Sequence, residues 1–327
     1  MSAFPPVLRQ FAARLGGAAL VVAAAIVLLF ALTLLVPGNP AEVLLGPRAS
    51  PETIAAFAQR LGLDLPLHER LLKFFGQVLR GDLGTDIISG RPILGMVLDV
   101  LPYTVVLTFS SIGLAVLVGL PLGCYAATHP GSLGDKIGAV VSVSFIAMPN
   151  FVIAIYLLLI FSIWLDWLPV LGIGNDTGIG DQILRLILPT VSLALTWVGY
   201  IARLVRSSLL EVMGESYIRT ARAYGQPEGR VIYKYALKNA AIPTVAILGL
   251  GIGRLLGGAI FAEIIFARPG LGTLVYDAIQ SRNYPIVQAG VLVVVALFVV
   301  TNILVDMSYA WIDPRMRGAS KKAGGAA

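Results

Sequence analysis

Arg219, Arg222, Arg230, Lys234 and Lys238 crowd into one polar stretch, SYIRTARAYGQPEGRVIYKYALKNAAIP (residues 216–243), beside Tyr217, Tyr224 and Tyr233. Cations interleaved with phenols hold surfaces rather than break bonds. Arginine and tyrosine are enriched where proteins meet, and a basic helix also suits anionic lipid headgroups. Bond-making chemistry lacks its parts. The dipeptide Gly-Lys occurs nowhere, so a phosphate-cradling G-x4-G-K-[ST] loop cannot be assembled. There is no G-x-S-x-G elbow, and the acids in or beside apolar runs are scattered rather than paired. Two histidines, His68 and His129, and the lone Cys124 cannot build a local zinc motif. The sequence therefore predicts no catalytic residue, no metal site and no cofactor held by this chain.

The elements that carry the basic stretch are apolar. Of 327 residues 57% are hydrophobic and 13% charged, with a mean hydropathy of +0.86, too little charge to cover a soluble domain of this length. Runs of roughly 20 uncharged residues match the length of a membrane-crossing helix and not the alternating ten-residue strands of a barrel. Six are predicted, near residues 15–36, 104–128, 137–165, 186–204, 240–266 and 285–306. The first has Arg9 and Arg14 before it but is too long for a cleaved signal, and no small-x-small site follows. Lysines and arginines resist translocation. They gather at both chain ends and in the stretch between the fourth and fifth runs, while only Arg185, Arg268 and Arg282 fall in the short loops of the other side. The expectation is an all-α polytopic membrane protein with six transmembrane helices and cytoplasmic N- and C-termini. Residues 1–36 form a cytoplasmic N-terminus and first span, 37–101 an extracytoplasmic segment, 102–313 a five-helix core carrying a cytoplasmic loop at 207–239, and 314–327 a cytoplasmic tail.

Local signals refine this outline. Ser50-Pro51-Glu52 reads as an N-cap, a first-turn proline and an early acid, and LHERLLKFFGQVLRG gives a second amphipathic helix ending at Gly81. These two read as a small cap on the span ends or, less simply, as a ligand contact. Pro149, in Met148-Pro149-Asn150, removes a donor at mid-membrane and predicts a kink or break. Gly249, Gly253 and Gly257 recur every four residues and mark a helix face open to close approach, either within the bundle or between subunits. Arg254 lies beside that face, where an arginine costs about 2.5–3.5 kcal/mol on insertion scales. It either pairs with an acid of a neighbouring helix or lines a pathway for an anionic part of a substrate. In the basic stretch, SYIRTARAYG predicts a short helix capped by Ser216 and stopped by Gly225 in the left-handed position. RVIYKYALKNAAIP then climbs back into the fifth span.

RTARAYG, its basic hairpin and ALKNAAIP together resemble the cytoplasmic EAA loop of ABC importer permeases, in the version of the dipeptide, oligopeptide and nickel family. Counted from Gly225 in E-A-A-x3-G-x9-I-x-L-P, the E-A-A positions hold Arg219, Thr220 and Ala221, and I-x-L-P holds Tyr235, Ala236, Leu237 and Lys238. Ala221, Gly225 and Leu237 match, and an arginine replaces the acid. VPGNPAEVLLG, LGLDLPLHER, LRGDLGTDIISGRPI, MPNFVIAIYLLLIFSIWLDWLPVLG and GGAIFAEIIFARPGLGTLVYDAIQSRNYPIVQAG resemble the same family in the same order, and GDLG looks like the B-type member of a permease pair. The resemblance implies a coupling helix, with Tyr217, Arg219, Thr220, Ala221, Arg222, Gly225 and Leu237 meeting an ATPase subunit, and a pathway or gate involving Arg254, Pro149 and Asn150. It also implies a second, homologous permease subunit, two ATP-binding subunits carrying ATP and Mg, an extracytoplasmic substrate-binding protein, and a bacterial inner-membrane location. No nucleic-acid partner is expected. The substrate would be a di- or oligopeptide, with nickel or another small solute as the alternative inside the family. A stand-alone secondary transporter is the alternative outside it, though no inverted repeat is evident.

Overall fold

A computed structural model of the chain describes residues 6–35, 49–60, 65–169, 172 and 178–312. The expectations for VPGNPAEVLLG and for the tail at 314–327 lie outside these residues. The described residues are helical apart from turns and one isolated bridge, Thr85 to Pro92. The helices are α1 (Pro6–Leu35), α2 (Pro51–Arg60), α3 (Leu67–Leu79), α4 (Ile93–Thr128), α5 (Leu133–Ala147), α6 (Asn150–Leu157), α7 (Ile179–Met213), α8 (Ser216–Ala223), α9 (Ile242–Ile265), α10 (Leu271–Gln280) and α11 (Tyr284–Ile312). α6 continues as a π-helical stretch, Leu158–Trp164. Between α8 and α9 an arm rises through the turn Glu228–Arg230, the π-helical Val231–Ala236 and the short helix Leu237–Ala240. Neither π-helical stretch was expected from the sequence.

The predicted count of six spans is reached only in part. α4, α7 and residues Tyr284–Val305 of α11 are each long and apolar enough to cross a membrane. Two bent pairs bring the number to five: α5 with the α6–π segment, and the two halves of α9, Ile242–Gly249 and Gly251–Ile265. α1 adds an apolar stretch, Gly16–Ala31. The α9 halves meet at 43°, whereas the break at Pro149 turns the chain by 106°, far more than a simple kink. Its cause is local. Pro149 bars its predecessor from helical geometry, so Met148 (ψ 131°) and Pro149 (ψ 139°) are both extended before α6 begins.

The chain divides into two compact units. One comprises residues 1–102 and 270–299, the other 103–269 and 300–327. In the first, Ile93, Val97, Leu271, Ala278, Ile286 and Ala289 form the core. The Ser50 hydroxyl accepts from the Thr53 amide at 3.2 Å, as the cap signal predicts, and the Arg70 guanidinium stands 5.6 Å over the Phe30 ring. Asp86 is buried and accepts from the Ile88 and Ser89 amides, the Ser89 hydroxyl and the Asn283 amide side chain. Burial pushes the Asp86 carboxyl up, but these donors outweigh it and hold it below its usual range.

The second unit is built on α7. Leu193, Ala194, Trp197, Val198, Ile201, Val205 and Leu209 fall on one helical stripe and are buried there. α4 comes against that stripe at Gly119 and Gly123: a Cβ on Gly123 would lie 2.7 Å from the Ala202 carbonyl, and one on Gly119 would lie 3.0 Å from the Val198 carbonyl. α5 meets the far side at Gly199, where a Cβ would stand 2.7 Å from the Ser142 carbonyl. Pro189 inside α7 has no N–H for the carbonyl of Arg185 one turn earlier. Arg268 Nη1 donates to that carbonyl at 3.3 Å instead.

Candidate functional site: the hairpin after α7 and the open stripe of α9

α7 runs past its apolar part as far as Met213. α8 follows. The N-cap position is Glu215, which makes no side-chain cap, and Ser216 is the first helical residue, so the predicted Ser216 cap is not formed. The Ser216 carbonyl instead accepts from the Thr220 hydroxyl at 3.0 Å. Gly225 takes the left-handed conformation expected of it, with φ +70°.

α8 is amphipathic, and its two faces do different work. Ile218 is completely buried, and Ala221 packs against the same core that holds Val205 and Leu209 of α7. Val231, Ala236 and Ala240 of the rising arm join this core, with Leu237 packed on its edge. Tyr217, Arg219, Thr220, Arg222 and Gly225 stay exposed. Tyr224 and Tyr233 are 80% and 65% exposed, unusual for aromatic side chains without a partner.

Polar clips stiffen the hairpin. Arg222 grips Glu228 with two donors, Nη2 to Oε1 at 2.6 Å and Nε to Oε2 at 3.2 Å. The Arg222 hydrogen bonds, helped by its charge, outweigh burial and hold the Glu228 carboxyl below its usual range. Arg219 Nη2 donates to the Gly214 carbonyl at 3.2 Å. Asn239 Nδ2 donates to the Tyr217 hydroxyl at 2.7 Å and so ties α8 to the rising arm. Further back along α7, Arg206 forms a fork with Asp135 of α5, Nε to Oδ1 at 2.6 Å and Nη2 to Oδ2 at 2.8 Å. The Gly131 amide completes the shell around that carboxylate at 2.9 Å. α8 is thus a short peg on a braced mount.

The predicted intramembrane residues are distributed differently. Pro149 is exposed at the break, and Asn150 accepts from the Thr196 hydroxyl of α7 at 2.7 Å. A Cβ on Gly258 would lie 3.4 Å from Asn150 Nδ2, so Asn150 sits where α6, α7 and α9 converge. Along α9, Gly249 is closely approached by Val305, and Gly251 by the Trp197 ring, but nothing lies within 4 Å of a Cβ on Gly257. Arg254, Gly257 and Phe261 are exposed and share one side of the helix. Among the described residues Arg254 makes no ion pair. Glu263 was not singled out from the sequence. It is 1% exposed and accepts from the Thr104 hydroxyl of α4 at 2.6 Å. A lone acid in the apolar run GGAIFAEIIF was its signal, the same reasoning that marks Arg254. No group of three potential metal ligands occurs among the described residues.

Apolar spans, a 106° break and a braced basic hairpin define a multi-pass helical membrane protein. The chain belongs to the family described as binding-protein-dependent transport system inner membrane component, which matches residues 119–318, with the corresponding N-terminal family matching residues 7–108. It is 39% identical over 309 residues to the dipeptide transport system permease protein DppB of Alkalihalophilus pseudofirmus, covering 88% of this chain and 93% of that one. It is 40% identical over 291 residues to the glutathione transport system permease protein GsiC of Salmonella paratyphi A, covering 89% and 93%. The corresponding GsiC protein of Pectobacterium atrosepticum is 39% identical over 310 residues, covering 95% and 99%. An inward-facing structure of the MetNI methionine ABC transporter shares the fold, with a TM-score of 0.54 at 20% identity over 66% of this chain and 95% of that one. The chain is a permease of the ABC importer class, and its relatives are named as transport permeases.

Proposed function

We propose that this chain pairs with a second, homologous permease subunit to enclose a path for di- or oligopeptides across the bacterial inner membrane. Two separate ATP-binding subunits, carrying ATP and Mg, drive the cycle, and an extracytoplasmic binding protein delivers the substrate. Both chain termini and the α7–α9 hairpin face the cytoplasm. The substrate class rests on the dipeptide and glutathione named for the relatives.

The observation that carries this reading is the division of labour in α8. Ile218 is locked into the core of α7 while Arg219, Thr220 and Arg222 face outward. A peg anchored this way moves with α7 and α9 as a body when the ATP-binding subunits close, the kind of two-position shift alternating access needs. The break at Pro149 and the bend of α9 absorb the change. A cysteine at Thr220 disturbs no clip but its own helix bond, and in membranes it should cross-link to a cysteine on the ATP-binding subunit. Failure to cross-link at any position of that subunit's permease-facing groove would remove the docking assignment. On the same reading Arg254, exposed at the middle of α9, faces the path or the second permease subunit. Arg254→Ala should abolish uptake at unchanged membrane abundance, whereas lost abundance would mark Arg254 as a structural group.

A further inference from the structure

Between the rising arm and α8 lies an open surface depression of about 430 Å³ lined by Tyr217, Lys234, Tyr235, Lys238 and Asn239. Its polar side chains are rich in donors. Each lysine ammonium offers three N–H donors and no acceptor. The Tyr217 oxygen is already occupied as an acceptor by Asn239 Nδ2, so its own O–H is left to point elsewhere. No carboxylate lines the recess. Among the described residues neither lysine enters an ion pair, and Glu228, the acid of the hairpin, is engaged by Arg222. Two ammoniums without a counter-charge call for an anion with several acceptor oxygens, which a phosphate group supplies.

The position of the recess along the chain selects the source of that phosphate. Lys238 precedes the apolar α9 by four residues, about 6 Å of helix rise. Lysine ammoniums on aliphatic stems, with Tyr233 exposed and Tyr235 half-buried beside them, have the composition of a membrane–water boundary. Basic side chains within a few ångströms of an anionic leaflet gain from its surface potential. A freely diffusing anion is repelled by that same negative surface, whereas the leaflet's own phosphates are presented there at high local density.

We infer that the recess between Tyr217, Lys234 and Lys238 seats the phosphate of an anionic membrane lipid and holds the hairpin at headgroup level. The lipid belongs to the mount of the peg and takes Tyr217 with it, while Arg219, Thr220 and Arg222 of α8 are left for the partner. The inference does not rest on docking, since lipid selectivity can survive when cross-linking from Thr220 fails, and the reverse.

The full-length chain, purified in a neutral detergent, is titrated with short-chain phosphatidylglycerol and separately with short-chain phosphatidylcholine, and bound lipid is read by native mass spectrometry. Phosphatidylglycerol should bind about thirtyfold more tightly, as expected for two juxtamembrane lysines at about 1 kcal/mol each. The double variant Lys234→Gln/Lys238→Gln should lose that preference with phosphatidylcholine binding unchanged. Lys136→Gln, at an exposed lysine of α5, should keep it. If the double variant does not fold, Lys234→Arg/Lys238→Arg should preserve the preference and Tyr217→Phe should reduce it several-fold. Equal binding of the two lipids, or a preference surviving in the folded double variant, overturns the inference. So does inorganic phosphate that displaces the lipid at equal concentration, which marks a free-anion site. A double variant that keeps its lipid but loses an ATP-binding subunit marks a protein interface and overturns it too.

Discussion

Two glycine-bearing helix faces in this protein have opposite fates. On α4, Gly119 and Gly123 are closed over by α7, whose backbone carbonyls at Val198 and Ala202 occupy the space a side chain would need. On α9, Gly257 meets nothing within 4 Å, and its neighbours on that side, Arg254 and Phe261, are exposed. The helix that closes the α4 face, α7, is also braced with charge against α5 through the Asp135–Arg206 fork. The open stripe carries a charge with no ion-pair partner among the described residues. Small residues at four-residue spacing permit close approach. Whether the approaching helix comes from the same chain depends on where the rest of the bundle lies.

The contrast can be broken at several places, and the largest effect is expected at the brace. Asp135→Ala leaves the Arg206 guanidinium without its acceptor in a partly buried site. Membrane abundance should fall several-fold and recover in Asp135→Arg combined with Arg206→Asp; no recovery would show that the fork contributes position-specific packing and not charge pairing. Next comes Gly123→Val. A Cβ there lies 2.7 Å from both the Ala202 carbonyl and Val205 Cβ, so overpacking should destabilise the bundle by about 1–3 kcal/mol, read as a lower thermal unfolding midpoint in detergent. A smaller effect belongs to the exposed Arg222–Glu228 clip, worth under about 1 kcal/mol. Because Arg222 holds the Glu228 carboxyl below its ordinary 4.5, the clip is fully formed above the ordinary carboxylate pKa. It is lost as pH falls through the depressed value. Protection factors of the amides of residues 216–228, which remove the intrinsic pH dependence of exchange, should therefore fall only in acid, and Glu228→Gln should remove that fall. Gly257→Ala should do least to the isolated chain, with abundance unchanged or slightly raised because alanine is the better helix former by about 1 kcal/mol. It sharpens the comparison if it weakens co-purification with the proposed second permease subunit, and erases it if the isolated chain is destabilised as much as by Gly123→Val.

How much of this was legible in the sequence varies with the distance over which each feature is made. Signals confined to a few residues were readable. The Ser50 cap, the break at Pro149 and the left-handed Gly225 all follow from local backbone rules and appear as expected. Ser216 misled by one position: the chain enters α8 with Glu215 extended (ψ 150°), and the serine falls inside the first turn. The π-helical arm at Val231–Ala236 has no local composition that marks it. Pairings between distant residues were not legible at all. Asp135 and Arg206 are 71 positions apart, and Thr104 and Glu263 are 159 apart; each partner alone reads as an isolated polar group near an apolar run.

The sequence by itself determined that the chain enters the membrane as helices and that a basic hairpin interrupts them, because hydropathy and the preferences of proline and glycine act over single turns. Tertiary structure decided which face of each helix is spent inside the chain. It buried Ile218 to mount α8, closed Gly123 and left Gly257 open, because those outcomes depend on which backbone arrives within a few ångströms, and no run of neighbouring residues encodes that alone.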